Sequence, residues 1–508
     1  MSTTTRATTW FGSYGLPGFL GSSFIAIGSF GVGWFPLAFN PLRWPLLNFL
    51  QTQTAGLALS RALVVVGAAL ILQAWLVIGI DTLHDKLISE QTMFKILLTW
   101  ISPLIFAAPL FSRDVYSYFM QGHLQLQGDN PYVSGVAVVP GWFNSGVDPM
   151  WADSKTPYGP LFLFVERVIA QACGPHVYLA SYVFRLIGVL SVLLLARSVA
   201  ALARRHGIDG ASAMWLATLN PLVLMHFIAG SHNDSLMIAL VTTGLVLAID
   251  QRFILAICIT TLGLAVKPVA IVVLPFIAII HTSGRPIRER LKAFGVTGFI
   301  SALTMVILSL IAHVSPLGWL SALQTPGAVR SWLSPMTALG ILTGAPTSHL
   351  GMGDQMGHAI SIFRAIGFAI TVIVLMVLTV KPQGRSGARG AAYAIGALVV
   401  FGPVVQPWYL LWTIPLLAAT GLSKIQLRIT IIAIFAFTVH GISNSSATAD
   451  TFFEFSDGLA MVLATLILCM AVAASPRERA LIFGDAETKP LLPLDQHNQR
   501  IAESRVIV

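Results

Sequence analysis

The sequence predicts an all-α integral membrane protein, and three observations point to it. Over 508 residues the chain is 56% hydrophobic and only 10% charged, whereas soluble domains run near a quarter charged. Its mean hydropathy is +0.79. Its apolar runs approach about 20 residues, enough for a helix to cross a hydrocarbon core about 30 Å thick.

Candidate spans run over 17–40, 61–81, 93–112, 177–203, 213–229, 233–250, 253–266, 268–282, 293–314, 358–380, 390–404, 407–421, 427–441 and 458–474. They predict a polytopic bundle of about 13–14 transmembrane helices. The basic residues sit in short turns between these runs: Lys86, Arg204, Arg205, Arg252, the cluster Arg285, Arg288, Arg290 and Lys292, then Lys381, Arg385, Arg389, Lys424, Arg428, Arg477 and Arg479. With these spans all of them fall on one side, which the positive-inside rule makes cytoplasmic. The net charge of +9 is therefore read as orientation in a plasma membrane, with both termini cytoplasmic, and no nucleic-acid partner is expected. For this topology the segment 158–172 must not cross. It is short and carries Glu166 and Arg167, so a surface or re-entrant helix is predicted there.

Pro17 to Asn40 reads as a retained span, since Arg6 is the single basic residue before it and no small-residue cleavage site follows. One polytopic domain is expected over 1–475, with outer loops at about 112–176 and 315–357. A polar tail at 476–508, with Pro490 and Pro493, is expected to be cytoplasmic and flexible. The cysteines Cys173, Cys258 and Cys469 lie too far apart for a disulfide framework or a metal cluster. Motifs for nucleotide, serine or zinc hydrolysis are lacking, and no repeat of fixed period is seen.

The polar chemistry gathers in the outer turns. Arg113-Asp114 closes an apolar run and is followed by Tyr116, Tyr118, Gln121, His123 and Gln125, spaced to lay a partly polar helix along the membrane surface. A structural reading makes Arg113 a helix cap and Asp114 its interfacial ion-pair partner. A functional one makes Asp114 a carboxylate placed to deprotonate a hydroxyl arriving from the aqueous side. In GSHND at 230–234, Ser231 or Asn233 serves as an N-cap, or His232, Asn233 and Asp234 hold sugar hydroxyls or a phosphate.

Lys267, followed by Pro268, either snorkels to the headgroups or meets a lipid phosphate. Arg185 lies inside an apolar run, where an arginine costs on the order of 3 kcal/mol and must face protein, water or an anion. Arg330 and Arg364 are weaker cationic candidates. Trp408 and Tyr409, with Trp412, form an interfacial aromatic belt or a stacking wall for a sugar ring, with Gln406 at its rim. Pro157 to Pro160 is a turn that returns the first outer loop to the membrane.

Taken together, SRDVYSYFMQG, GDNPY, TPYGPLF and NPLVLMHFIAGSHNDSLMIAL resemble the α-1,6-mannopyranosyltransferases of mycobacteria and corynebacteria, members of the GT-C superfamily that use polyprenyl-phosphate mannose. The resemblance covers about Pro103 to Leu247, and beyond it only the pattern of spans matches. It implies a GT-C-type bundle with a long first outer loop bearing interfacial helices. It also implies a polyprenyl-phosphate mannose donor and a phosphatidylinositol mannoside or other mannosylated glycolipid as acceptor. The product would be the α-1,6-mannan backbone of lipomannan and lipoarabinomannan, made on the outer face of the membrane.

Carried onto this sequence, the resemblance makes Asp114 the catalytic carboxylate. Tyr116, Tyr118, His232, Asn233 and Asp234 would line the site, and Lys267 and Arg185 would serve the phosphate, with Arg113 and Arg330 behind them. A β-linked donor and an α-linked product imply inversion. Many GT-C enzymes carry two acids close together in the first loop, whereas Asp114 is followed only by Asp129, Asp148 and Asp153. Asp129 sits in a turn signal. No cofactor is assigned, and a divalent metal stays open without support from ligand spacing. A secondary transporter or lipid-linked-sugar flippase is the competing class. It predicts mid-membrane charges and related halves, and a membrane scaffold is a third option.

Overall fold

Proline divides the apolar runs more finely than their hydropathy predicts. The computed structural model describes residues 10–37, 43–83, 88–323, 331–349, 355–380, 386–443 and 491. Arg330, Lys86, Lys381, Arg385, Cys469, Arg477, Arg479, the polar turn 444–450, the expected span 458–474 and nearly all of the tail lie outside the described residues.

In chain order the helices are α1 (Leu16–Val32), α2 (Pro45–Thr52), α3 (Thr54–Leu83), α4 (Glu90–Leu104), α5 (Asp114–Leu126), α6 (Pro160–Cys173), α7 (Val177–Arg205) and α8 (Gly210–Thr218). A π-helical stretch, Val223–Ala229, then leads to α9 (Asp234–Ile249), α10 (Phe253–Val266), α11 (Leu274–His281), α12 (Ile287–Ala312) and α13 (Trp319–Ala322). The remaining helices are α14 (Pro335–His349), α15 (Gln355–Val380), α16 (Gly387–Phe401), α17 (Ile414–Thr420) and α18 (Lys424–Ser443). No strand occurs among the described residues. A lone antiparallel bridge joins Leu422 to Leu491.

Six of these helices are long and apolar enough to cross a membrane, seven if the pair Gly210–Thr218 and Val223–Ala229, bent by 65°, is one span. Five shorter apolar helices of 10–17 residues accompany them. The expected 13–14 spans are thus only in part full-length helices, and the reason lies in the breaks. Asn220-Pro221, Lys267-Pro268 and Gln406-Pro407 interrupt apolar runs, because proline offers no N–H to the helix ladder. The expected helices 268–282 and 407–421 each begin as 3₁₀ turns, Pro268–Val273 and Pro407–Trp412. Each break sets a polar residue where two helical pieces meet.

The segment 158–172 holds a helix, α6, which is not among the candidate spans. Against expectation α5 does not lie on a surface. Residues Val115 to Gly122 are buried because the helix sinks its aromatic face inward. Gly122 permits this, since a Cβ there would lie 2.3 Å from the Glu166 backbone oxygen of α6. Close approach also joins α1 to α3, where a Cβ at Gly21 would meet the Gly67 oxygen at 2.7 Å. Trp75 of α3 and Trp215 of α8 stack at 5.2 Å and exchange N–H···O bonds with each other's backbone.

One end of the bundle is tied by exposed ion pairs, Arg204 with Glu90 and Arg205 with Asp250. The polar residues singled out in the outer turns, Asp114, Asp234 and Lys267, lie at the opposite ends of the helices that carry or adjoin these pairs. For α9, from Asp234 to Ile249, that separation is about 24 Å.

Candidate active site

Five chain segments distant in sequence meet at one polar site: the start of α5, the loop after it, the turn before α9, the α10 break and the 3₁₀ turn Pro407–Trp412. Asp114 is the first residue of α5, at a helix N-terminus that favours an anion. Its Oδ1 accepts a 3.1 Å hydrogen bond from Trp151 Nε1, and its Oδ2 lies 3.3 Å from His232 Nδ1. Burial by itself raises the Asp114 carboxyl. The hydrogen bond and charge of His232, the charge of Lys267 and the Trp151 bond outweigh it, leaving the group below its ordinary range.

Asp234 is fully buried. Its Oδ1 accepts from Lys267 Nζ at 2.7 Å and from Trp412 Nε1 at 2.6 Å. The Lys267 ammonium also faces the rings of Trp412, Tyr409 and Tyr158 at 5.2, 5.5 and 6.0 Å. Trp408 stacks on His232 at 3.8 Å, and Tyr409 on Trp412 at 3.9 Å. These aromatics therefore turn toward the site. Gln406 stands just before this 3₁₀ turn, partly exposed.

Asn233 is the N-cap residue of α9, yet its side chain makes no cap bond. Neither Asn233 Oδ1 nor Nδ2 has a hydrogen-bond partner among the described residues, and the same holds for Asp234 Oδ2, His232 Nε2, Trp408 Nε1 and both ring nitrogens of His226. Buried polar atoms are nearly always paired, so this concentration of unpaired donors and acceptors marks a place for a polar ligand. Tyr118 closes the inner wall. Its hydroxyl accepts from the Asn233 N–H at 3.4 Å, and its ring packs edge-on against Tyr158 and Phe162.

The remaining expected residues support the site from outside it. Tyr116 is buried and donates to the Trp34 carbonyl at 2.5 Å. Arg113 donates to the Gly146 and Val147 carbonyls at 2.8 Å each and covers the Trp34 ring at 4.3 Å, which anchors the loop that carries Trp151. Arg185 is 1% exposed. It donates to the carbonyls of Ile105, Ala107, Ile228 and Ala229, occupying four of the five guanidinium N–H groups. It thereby fastens the chain leading to Asp114 to the chain leading to His232. Both approaches kink at non-glycine residues with positive φ, Phe111 at 68° and Ser231 at 54°. Arg364 serves backbone and hydroxyl oxygens, at Pro403 and Thr337. Asp129 sits in a turn, as its sequence suggests, with its N–H on the Leu124 carbonyl.

Sequence reasoning missed His226 and Trp151. His226 is a buried histidine in the apolar π-helical stretch, 5.4 Å from Trp408 and 6.0 Å from His232. Its one signal was a titratable residue within an apolar run. Trp151 gave none, since a tryptophan in an outer loop reads as an interfacial anchor.

The family model described as alpha-(1->6)-mannopyranosyltransferase, N-terminal domain, matches residues 15–283, and that described as MptB C-terminal domain matches 336–476. The chain is similar to the probable alpha-(1->6)-mannopyranosyltransferase of Mycolicibacterium smegmatis, with 31% identity over 94% of this chain and 90% of that one. Alpha-(1->6)-mannopyranosyltransferase A of Mycobacterium tuberculosis is 32% identical over 82% of this chain and 81% of its own. Alpha-(1->6)-mannopyranosyltransferase B of Corynebacterium glutamicum is 28% identical over 89% and 78%. No solved structure matches.

Proposed function

The chain belongs to the alpha-(1->6)-mannopyranosyltransferase family, and from that premise we propose that it is an inverting mannosyltransferase. It takes mannose from polyprenyl-phosphate mannose and passes it to a mannosylated glycolipid, forming the α-1,6-mannan backbone of lipomannan and lipoarabinomannan on the outer face of the plasma membrane. The observation that carries this reading is the meeting of Asp114 with the Asp234–Lys267 pair beside unpaired His226, Asn233 and Trp408 atoms. That is a base, a cation and a set of hydrogen-bonding groups in one site.

Asp114 accepts the proton of the acceptor hydroxyl as its oxygen attacks the anomeric carbon. The carbon–oxygen bond to the phosphate breaks on the opposite face, and its electron pair leaves with the polyprenyl phosphate. Lys267 stabilises the charge growing on that phosphate. One displacement inverts a β-linked donor to an α-linked product, with no covalent sugar–protein intermediate. Asn233, His226 and the Trp408 ring serve the sugar. Arg185 and Arg113 hold backbone around the site. The donor's tail occupies an apolar cavity of about 610 Å³ lined by Leu264, Ile271, Leu274, Phe294, Met305 and Leu317. Leu264 and Ile271 flank Lys267 in the chain, which suits a lipid whose phosphate meets that lysine. The bound pairs of Arg204 and Arg205 at the far end agree with a cytoplasmic face there and an outer face at Asp114.

The test offers membranes containing the protein labelled mannose as polyprenyl-phosphate mannose or as GDP-mannose, with an α-1,6-mannoside acceptor. Transfer from the lipid donor alone, giving an α-1,6 linkage, is expected. Transfer from the nucleotide donor alone contradicts the reading, as does translocation of the lipid-linked sugar without a new glycosidic bond.

A further inference from the structure

We propose that Lys267 is the resident cation of this site, standing where a divalent metal would otherwise join its carboxylates, and that mannosyl transfer therefore runs without a metal. This deepens the transfer reading above and rests on it.

The site's acidic residues are Asp114 and Asp234, the arrangement in which a catalytic divalent ion is commonly sought. Two of their four oxygens are already claimed by N–H donors. Mg²⁺ demands near-octahedral oxygen ligands at about 2.0–2.1 Å and usually binds through one or two carboxylates and substrate phosphate. Asp234 Oδ1 already receives two N–H donors, from Lys267 at 2.7 Å and Trp412 at 2.6 Å. The Asp114 oxygens face Trp151 Nε1 at 3.1 Å and His232 Nδ1 at 3.3 Å. Trp151, Lys267 and Trp412 each direct a hydrogen at a lone pair a metal would use, while Asp234 Oδ2 and His232 Nδ1 make no hydrogen bond among the described residues. Among the described residues no group of three or more His, Cys, Asp or Glu side chains is placed to hold a metal ion.

Lys267 itself is held as a fixed charge. Its backbone is extended, φ −142°, at the break before Pro268, and its side chain is 13% exposed. The rings of Tyr158, Tyr409 and Trp412 lie within 6.0 Å of the ammonium, so Asp234 and three aromatic rings together fix its position. An ammonium has three N–H groups. One engages Asp234, and the others are available to the phosphate oxygens. In the reaction the new bond joins the acceptor oxygen to the anomeric carbon, and the bond from that carbon to the phosphate oxygen breaks. The proton goes to Asp114, and the extra negative charge on the polyprenyl phosphate is met by Lys267. The step balances with no further ion.

Two measurements on the wild-type protein in detergent decide the matter, and neither depends on a variant folding. The first compares transfer from polyprenyl-phosphate mannose to an α-1,6-dimannoside in EDTA with transfer in added Mg²⁺, Mn²⁺ or Ca²⁺. Rates within about twofold of one another are expected, since the transition-state charge is met by the protein. The second titrates Mn²⁺ into the same protein and follows its electron paramagnetic resonance signal, with no stoichiometric site expected. Activity abolished by EDTA and restored by one of these ions overturns the proposal, as does such a Mn²⁺ site. Lys267→Met is expected to lose about a hundredfold or more in kcat, and Lys267→Arg, which keeps the charge, to retain part of it; a normal rate in Lys267→Met also overturns the proposal. If wild type transfers nothing from this donor in any buffer, the transfer reading fails, while the Mn²⁺ titration still decides whether the site takes a metal.

Discussion

Asp114 Oδ2 lies 3.3 Å from His232 Nδ1, and the His232 ring is stacked 3.8 Å from Trp408, so one aromatic fixes the orientation of the group that faces the base. The consequence appears in the pH dependence. Burial favours the neutral acid, and His232 is the largest influence opposing it. With the Asp114 carboxyl held below its ordinary range, the charged base form persists through neutral and mildly acidic pH. Replacing His232 with Gln removes the main opposing influence, so the pKa moves up and less base is present at a given acidic pH. The acid limb of kcat/KM, followed from pH 4 to 8, is expected to shift upward in His232→Gln. An unshifted limb would separate His232 from the base.

Trp412 and Lys267 share one oxygen of Asp234. Trp412→Phe keeps a ring against Tyr409 but deletes the N–H. A hydrogen bond to a charged group is worth about 1.5–3 kcal/mol, which is roughly a 10- to 100-fold effect. The expected result is a fall in kcat/KM of about tenfold or more, with protein yield and thermal unfolding close to wild type. Steady-state kinetics on purified protein check it.

Arg185 meets four carbonyls at the ends of two segments that carry the site. Lysine has one nitrogen and cannot reach all four. Arg185→Lys should leave buried carbonyls unpaired at about 1–3 kcal/mol each. Its melting temperature in detergent should fall by several degrees and its kcat by about tenfold, while KM for the donor changes little. A loss confined to KM would instead argue for direct phosphate contact.

Glu166 in α6 is fully buried, and neither carboxyl oxygen has a partner among the described residues. Burial pushes its carboxyl well above the ordinary range. A folded-state pKa above the unfolded one means that folding favours the protonated form. The contribution to stability is full below the unfolded pKa and is lost as pH rises toward the folded value. Glu166→Gln carries no such charge. Its melting temperature is expected to equal or exceed that of wild type at pH 8 and to vary less between pH 5 and 8. A clear destabilisation at pH 8 would show that the carboxylate is needed charged.

Much of the site was legible because its residues interrupt apolar runs, where a polar side chain needs a reason. Asp114, His232, Asn233, Asp234, Lys267 and Trp408, which the structure brings together, stand out in this way. The structural duty of Arg185 was not legible, since its partners are backbone carbonyls, which leave no trace in side-chain pattern. The inward burial of α5 was missed for a related reason: its alternation of aromatic and polar residues fits an interface and a protein interior equally well. The span count suffered from proline. Hydropathy sees apolar composition on both sides of Lys267-Pro268 or Gln406-Pro407, while the helix ladder stops there.

As base of a lipid-dependent mannosyl transfer, Asp114 bears the whole reaction. Its most direct test is transfer of labelled mannose from polyprenyl-phosphate mannose to an α-1,6-mannoside by wild type and Asp114→Asn at equal expression. Wild type is expected to transfer and the variant to lose about a hundredfold or more, the scale of a lost general base. Near-normal transfer by Asp114→Asn would contradict this role.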